Sequence, residues 1–234
     1  MPVDLSEVRT VLLPGTGSDD DYVRRAFGPA LRAVGAVPVT PAPEPARLID
    51  GYRRALDEAA AAGPIAVGGV SLGAAVALAW ALAHPDRTVA VLAALPAWSG
   101  DPKEAPAAAT ARLSAHELRR DGLAAATARM QQSSPEWLAA ELTRSWAGLW
   151  PELPDAMEEA ATYYAPTAAE LAGLRAPMGV ASASDDPVHP LQVGVEWVEA
   201  APVAALRTVT LAQIGADPAA LGAACVAALG ELPE

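Results

Sequence analysis

Ser71 lies in the pentapeptide Gly69-Val70-Ser71-Leu72-Gly73, a Gly-x-Ser-x-Gly pattern that can present a serine hydroxyl for nucleophilic attack. Residues 64–67 before it form a short apolar run typical of a buried strand, and residues 74–83 after it predict a helix without a polar face. A serine between a strand and a helix, flanked by glycines, is the sequence of a nucleophile elbow, a strained turn that small neighbours permit. The competing interpretation is an ordinary Gly-rich turn in which Ser71 caps the helix. The strand and helix on either side favour the elbow.

The elements around this turn alternate between strand and helix from the start of the chain. The predicted strands are 9–13, 37–39, 64–67, 88–95, 178–183 and 206–211. Such alternation predicts an α/β fold with three layers, in which helices cover both faces of a mostly parallel sheet. From residue 102 to 174 only helical pattern is present, with expected breaks at residues 133–135, Pro151, Pro154 and Pro166. We therefore expect a single domain with a core of residues 1–97 and 175–234 and a helical lid of residues 98–174.

The order of a first strand with a Gly-rich loop, an elbow serine, a helical insertion and a late acidic loop resembles the α/β-hydrolase superfamily. The resemblance covers essentially the whole chain, although the sheet starts late and lacks the superfamily's usual first strands. It implies that loop 13–17 forms half of an oxyanion hole, in which the backbone N–H groups of Thr16 and Leu72 bind the developing negative charge. Pro14 stands where many relatives have a histidine. The alternative for this loop is a plain turn between a strand and a helix.

The late acidic loop, residues 184–190, contains two neighbouring aspartates, Asp185 and Asp186. In relatives the acid of a catalytic triad commonly precedes a short turn that ends in an apolar residue and proline, which selects Asp186. A carboxylate at this position would orient an imidazole and stabilise its cation. The alternative is that the aspartates cap the following helix. We expect Asp185 to be the cap and Asp186 the acid.

The three histidines of the chain leave the base of the triad in question. In relatives the catalytic histidine follows the last strand, often as Gly-His, but residues 215–218 read Gly-Ala-Asp-Pro. Ala216 therefore occupies the place of the histidine, and alanine cannot accept a proton. His84 is expected to end the helix after the serine, where a cation complements the helix dipole. His116 is expected to be a solvated residue of the insertion.

His189 stands three residues after Asp186, in a loop that relatives fold over the active site. We expect His189 to act as the general base for Ser71, with Asp186 or Asp217 orienting it. This role requires an approach of about 3 Å between the ring and the serine hydroxyl, or a bridging water. The alternatives are that His189 is a structural loop residue, or that Ala216 is an introduced change that inactivates the protein.

The insertion is expected to act as a lid over the serine, because it is rich in aromatic side chains that suit an apolar acyl or ring-bearing ligand. The alternative is that tryptophans pack helix against helix, which is expected for at least half of them. The aromatic residues in and beside the insertion are Trp98, Trp137, Trp146, Trp150, Tyr163 and Tyr164.

Composition restricts the partners of the 234-residue chain. The net charge is −12 and Lys103 is the only lysine, which argues against nucleic acid and anionic membranes as partners because both need a basic patch. No apolar run is long enough to cross a bilayer, and residues 1–7 lack the basic and apolar regions of a signal peptide, so a cytoplasmic protein is expected. The single cysteine, Cys225, excludes an internal disulfide and is expected to serve as a small buried hydrophobe.

The leading hypothesis is a serine hydrolase that cleaves a small or medium-sized apolar ester, thioester or lactone through an acyl-enzyme on Ser71. No metal and no organic cofactor is expected, because the sequence has neither a His/Cys cluster at ligand spacing nor a phosphate-binding motif. A small-molecule substrate is the expected partner, and a homodimer is left open. The altered histidine position keeps two alternatives: a non-hydrolytic enzyme of the same fold, such as a lyase, cyclase or cofactor-free oxygenase, or a ligand-binding protein whose catalytic machinery has decayed.

Overall fold

Six parallel strands form one sheet in the computed structural model, which describes residues 3–232. Residues 1–2 and 233–234 lie outside the described residues. All four belong to the expected core ranges, and residues 1–2 also belong to the segment predicted to lack a signal peptide. The strands are β1 (Arg9–Leu13), β2 (Val37–Val39), β3 (Ile65–Val70), β4 (Thr88–Ala94), β5 (Met178–Ala183) and β6 (Ala204–Val209). Their order across the sheet is β2-β1-β3-β4-β5-β6, and every neighbouring pair is parallel.

Ten α-helices accompany the strands in this part of the chain. They are α1 (Asp20–Ala33), α2 (Leu48–Ala60), α3 (Leu72–Ala83), α4 (Pro106–Ser133), α5 (Glu136–Leu149), α6 (Leu153–Ala161), α7 (Ala168–Leu171), α8 (Leu191–Ala200), α9 (Leu211–Ala216) and α10 (Ala219–Gly230). None of the helices within residues 3–232 combines the length and the hydropathy that a bilayer crossing requires.

Helices cover both faces of the sheet, which confirms the predicted three-layer α/β/α architecture. Alternate residues of a strand point to opposite faces. Val11 and Leu13 of β1 belong to one apolar cluster together with residues of α2, α3 and α8. Leu12 belongs to a second cluster with residues of α1 and α10, where Cys225 is fully buried and burial raises the pKa of its thiol.

The chain reverses its direction across the sheet between β1 and β3. From β1 it passes to the edge strand β2 and then returns to place β3 on the other side of β1, where Leu13 pairs with Gly69. In open α/β sheets such a switch point leaves a crevice at the carboxyl ends of the strands, and ligands bind there. The loop after β1 and the turn after β3 therefore meet at the carboxyl ends of these two neighbouring strands.

The helices α4–α7 lie between β4 and β5 in the chain. The two ends of this insertion are joined by a pair of backbone hydrogen bonds between Gly100 and Ala165, 3.1 and 3.0 Å long. Trp146, Leu153 and Met157 of the insertion belong to the same apolar cluster as β1 and α3. The insertion thus packs on the sheet domain through a continuous core.

Three local features differ from the sequence-based expectation. Strand β3 extends to Val70, so the serine follows the strand directly. Pro154 does not break a helix but lies in the first turn of α6, where a missing N–H costs no hydrogen bond. The predicted last strand ends at Val209 instead of residue 211, because Thr210 and Gln213 form a reciprocal capping box that begins α9.

Candidate active site

Ser71 lies at the turn between β3 and α3 with the backbone of a nucleophile elbow. Its φ and ψ are 54° and −116°, a left-handed conformation that a residue with a Cβ adopts at a cost of about 1–3 kcal/mol. Its backbone N–H donates to the carbonyl of Ala94 at 2.9 Å, which ties the turn to the neighbouring strand. The side chain makes no capping hydrogen bond to α3. Ser71 thus occupies the N-cap position of α3, but its side chain does not cap the helix, and its hydroxyl is available for another contact.

The two glycines of the pentapeptide are required because the loop after β1 passes close to the turn. A Cβ on Gly69 would stand 2.3 Å from the carbonyl oxygen of Leu13, and one on Gly73 would stand 2.2 Å from the same atom. Both positions are far inside van der Waals contact, and Gly69 also has φ +159°. The spacing Gly-x-Ser-x-Gly thus allows the serine turn and the first loop to pack against each other.

The Ser71 hydroxyl, the His189 ring and the Asp186 carboxylate form a continuous hydrogen-bonded chain. His189 Nε2 is 3.0 Å from Ser71 Oγ, and His189 Nδ1 is 2.7 Å from Asp186 Oδ2. The side chains of Asp186 and His189 are 8% and 18% exposed, so the chain is largely shielded from water. With Nδ1–H donating to the carboxylate, Nε2 is left to accept the serine proton.

Asp186 also organises the backbone of its own loop. Its Oδ1 accepts the backbone N–H groups of Val188 at 2.8 Å and of His189 at 3.3 Å. Burial by itself opposes ionisation of this carboxyl, but the hydrogen bond and charge of His189, together with these two donors, outweigh burial and lower the pKa of Asp186. The carboxylate is therefore ionised at neutral pH.

The other two carboxylates considered for this site hold helix ends. Asp185 Oδ1 accepts the backbone N–H of Leu211, the first residue of α9, at 2.8 Å. The expectation that Asp185 caps the helix following its loop, α8, is wrong, because pairing of β5 with β6 brings the loop beside α9 instead. Asp217 Oδ1 accepts the N–H of Ala219 at 2.9 Å. Asp186, and not Asp217, is the carboxylate against the ring of His189.

The loop after β1 is held from two sides. The phenol of Tyr52, buried in α2, donates to the carbonyl of Pro14 at 3.1 Å, and burial raises the pKa of this phenol. Ser145 of α5 donates through Oγ to the carbonyl of Gly17 at 2.6 Å. Between these anchors lies Thr16. Within residues 3–232, no acceptor is bonded to the backbone N–H of Thr16 or of Leu72.

The segment where the resemblance to α/β-hydrolases implies a histidine lies at α9. Ala216 is the exposed last residue of this short helix. Gly215 before it lies against a residue of the insertion, since a Cβ on Gly215 would stand 2.3 Å from Cδ1 of Trp137. His84 stacks on Trp80 with ring centroids 4.4 Å apart, and His116 is exposed on α4.

The aromatic residues of the insertion divide between core and surface. Trp98 and Trp146 are buried, and Trp98 Nε1 donates to the carbonyl of Tyr163 at 3.1 Å. Trp150 and Tyr164 are 39% and 62% exposed. The expectation that at least half of the tryptophans pack within the protein is consistent with this distribution.

A cluster of charged side chains joins α5 of the insertion to the start of α1. Arg144 contacts Asp19 and Glu141, the latter at 3.0 Å, and Arg25 is 2.7 Å from Glu141 and 2.8 Å from Asp21. Isolated surface pairs contribute little, but this network is partly buried and spans two elements. It fixes the insertion beside the loop that carries Thr16.

A second contact fixes the insertion to the sheet domain. Glu159 of α6 accepts the backbone N–H groups of Leu48 at 2.9 Å and Ile49 at 3.2 Å, at the start of α2. The residue preceding α2, Arg47, makes no capping hydrogen bond of its own. Glu159 therefore caps α2 from a distant part of the chain.

Sequence reasoning identified Ser71, Asp186, His189, Thr16 and Leu72, and the structure brings all of them to one end of the sheet. It missed the supporting residues Tyr52, Ser145 and Glu159. Tyr52 has the spacing of an ordinary core residue and no local signal marks its hydrogen bond. Among the described residues, no group of three or more His, Cys, Asp or Glu side chains is arranged to hold a metal ion.

No family model matches the sequence, and a search of curated proteins finds no match. The fold, in contrast, is similar to solved structures at low sequence identity. A hydrolase from Pseudomonas aeruginosa superposes with a TM-score of 0.68 at 21% identity, over 96% of this chain and 90% of the other. An enol-lactonase from Burkholderia xenovorans gives 0.63 at 20% identity, over 88% and 83%. A thermophilic esterase from Thermogutta terrifontis gives 0.60 at 18% identity, over 88% and 81%. The parallel sheet, the serine elbow at its switch point and these similarities together identify the chain as a protein of the α/β-hydrolase fold.

Proposed function

We propose that the protein is a serine hydrolase that cleaves a small or medium-sized apolar ester, thioester or lactone through an acyl-enzyme on Ser71. The observation that carries the proposal is the hydrogen-bonded chain from Ser71 Oγ through His189 to Asp186, with distances of 3.0 and 2.7 Å. The structural neighbours include an esterase and an enol-lactonase, and this agrees with the proposed class of reaction. Fold similarity alone does not specify a reaction, so the proposal is argued from the side chains of the site.

In the first half of the reaction, Ser71 Oγ attacks the carbonyl carbon of the substrate while His189 Nε2 takes the hydroxyl proton. The negative charge on the former carbonyl oxygen is bound by the backbone N–H groups of Thr16 and Leu72. His189 then gives the proton to the leaving alcohol, thiol or lactone oxygen, and the acyl group stays on Ser71.

In the second half, water replaces the leaving group. His189 takes a proton from the water, the resulting hydroxide attacks the acyl carbon, and the same proton returns to Ser71 Oγ as the acid leaves. Asp186 keeps its charge throughout and stabilises the imidazolium that forms in each half. The protein-held groups suffice for this cycle, so the proposal includes no cofactor.

The test uses an active-site-directed fluorophosphonate and short p-nitrophenyl esters. We expect the intact mass to show one covalent label, placed on Ser71 by peptide mapping, and ester turnover that Ser71→Ala and His189→Ala reduce by about 10⁴-fold or more. His116→Ala is the matched control, because His116 is exposed on the insertion and should leave both readouts unchanged.

Two results would contradict parts of the proposal. Full labelling and turnover in His189→Ala would exclude His189 as the base. A folded wild-type protein that neither takes up the label nor cleaves esters at any pH would exclude the serine hydrolase. A ligand-binding or non-hydrolytic protein of the same fold would then be the remaining interpretation.

A further inference from the structure

Trp146 differs from the other buried tryptophans because its indole N–H has no hydrogen-bond acceptor among the described residues. Four tryptophans are buried within the described part of the chain. Trp80 donates to Asp57 at 2.8 Å, Trp98 donates to a backbone carbonyl at 3.1 Å, and Trp197 donates to Ser99 at 3.1 Å. Trp146 is 3% exposed, and its Nε1 has no hydrogen-bond partner among residues 3–232.

The unpartnered N–H lies over the loop that carries Thr16. A Cβ on Gly17 would stand 2.9 Å from Trp146 Nε1 and 3.1 Å from the terminal methyl of Met157. A Cβ on Gly15, two residues earlier, would stand 3.5 Å from Cβ of Ser71. Thr16 thus stands between two glycines, of which Gly15 faces the Cβ of Ser71 and Gly17 faces the indole.

A buried donor without an acceptor is unfavourable, and buried polar groups in folded proteins nearly always find a partner. The protein supplies such partners to the other three indoles. The indole of Trp146 is held by the same elements that fix the lid, because Ser145 beside it bonds the carbonyl of Gly17 at 2.6 Å. The position of the N–H is therefore determined by the fold and is not that of a loose side chain.

We propose that the indole N–H of Trp146 binds an acceptor oxygen of the substrate and makes Trp146 a specificity-determining residue. Indole is a donor only, so its partner is an ether, carbonyl or hydroxyl oxygen. This inference rests on the proposed function, in which the scissile carbonyl lies at the N–H of Thr16. Since Thr16 and Gly17 are adjacent, the second oxygen lies within a few bonds of that carbonyl. The preferred substrate is an otherwise apolar ester, thioester or lactone with a second acceptor oxygen near the reacting carbon.

Access to this donor follows from its burial. Because Nε1 is buried, the proposal requires a second conformation of the protein, in which the bond from Ser145 to Gly17 opens and α5 moves away from the loop after β1. The contacts that would have to open include the hydrogen bond from Ser145, the charged cluster around Arg144 and the packing of the indole on Gly17. The substrate then occupies the space between the indole and the loop.

The test compares substrates that differ by one ether oxygen in place of one methylene group. On the acyl side the pair is p-nitrophenyl methoxyacetate and p-nitrophenyl butanoate, and on the alcohol side it is methoxyethyl acetate and butyl acetate. In at least one of the two pairs, we expect Trp146→Phe to lower kcat/KM for the ether-bearing substrate by about tenfold. In the same pair, it should lower kcat/KM for the methylene counterpart by less than about twofold. Trp98→Phe is the matched control, because it removes an indole N–H that already has an acceptor within the protein. In this variant the ratio of kcat/KM for the ether substrate to kcat/KM for the methylene substrate should stay unchanged in both pairs.

Equal loss for both members of each pair, or no loss for either, would overturn the proposal. If Trp146→Phe does not fold, benzothienylalanine at position 146 keeps the bicyclic shape and removes only the N–H, and the same ratios apply.

A binding measurement separates this inference from the proposed function. The six tryptophans give six indole N–H signals in a ¹⁵N spectrum of Ser71→Ala, and the signal missing from the position-146 variant identifies Trp146. A downfield shift of that signal with p-nitrophenyl methoxyacetate or methoxyethyl acetate, and not with its methylene counterpart, would support the contact even if the wild-type protein cleaved no ester. Absence of a selective shift with either pair would contradict the contact even if the protein were an active hydrolase.

Discussion

Asp186 holds His189 through both the ring and the backbone. One carboxylate oxygen is 2.7 Å from Nδ1 of the ring, and the other accepts the backbone N–H of His189 at 3.3 Å. The proposed acid and base therefore lie three residues apart in one loop, and their relative orientation is set by local geometry. A triad whose acid and base come from separate loops depends instead on the packing between those loops.

Replacing Asp186 by asparagine should lower kcat by about 10³–10⁴-fold, because the amide neither fixes the Nδ1–H tautomer nor stabilises the imidazolium. Ester turnover measures the effect. Asp185→Asn is the control, since Asp185 bonds the start of α9 and not the ring, and it should retain most of the activity. Equal losses in the two variants would mean that the whole loop had been disturbed.

The lowered pKa of Asp186 predicts how stability changes in acid. A carboxyl whose pKa is lower in the folded than in the unfolded state stabilises the fold above the unfolded value, here 3.8, and loses that contribution as the pH falls through the folded value. The free energy of unfolding of the wild type should therefore exceed that of Asp186→Asn at neutral pH, and the difference should narrow below pH 3.8. Urea unfolding of both proteins at several pH values measures it. A difference that stays constant through this range would contradict the assigned direction.

The positive φ of Ser71 predicts that glycine is favoured at this position. Ser71→Gly and Ser71→Ala both lack the hydroxyl, so comparing them isolates the cost of a Cβ at φ 54°. We expect the glycine variant to be more stable by about 1–2 kcal/mol in urea unfolding. Ala109→Gly, at an exposed position of α4, should show the opposite sign, with a loss of about 1 kcal/mol. A glycine variant less stable than the alanine variant would exclude strain at the turn.

The cap that Glu159 provides to α2 predicts a stability effect far from the serine. Glu159→Ala leaves the N–H groups of Leu48 and Ile49 without their acceptor and should lower the free energy of unfolding by about 1 kcal/mol. Glu158→Ala, one residue earlier, removes only an exposed ion pair with Arg119 and should change stability by less than about 0.5 kcal/mol. Similar effects of the two substitutions would show that the cap contributes nothing beyond an ordinary surface carboxylate.

Most of the sheet was predictable from local pattern. Short apolar runs placed all six strands to within three residues at each end, and the glycines around Ser71 marked the turn because backbone clearance requires them. The exceptions are instructive. Thr210 continues a run of β-branched residues, so its role as the first half of a capping box with Gln213 was hidden by strand pattern.

The candidate site was predictable in part because the chain has few histidines. With alanine at 216, His189 was the remaining ring in a loop near the sheet end, and Asp186 was selected by the turn that follows it. The partners of Tyr52 and Glu159 could not be predicted, because their hydrogen bonds join residues 38 and 111 positions apart. The target of Asp185 was assigned to the wrong helix for the same reason: sheet pairing, and not sequence order, decides which helix start is nearby.

The close approach of Trp137 to Gly215 gives the segment after β6 a role in packing the insertion on the sheet domain. A Cβ at position 215 would stand 2.3 Å from Cδ1 of Trp137, so any side chain there would displace the indole from its present position. The lack of a side chain at position 215 therefore allows the insertion to pack this closely against the sheet domain. The segment after β6 thus acts as a spacer between the sheet domain and the first turn of α5.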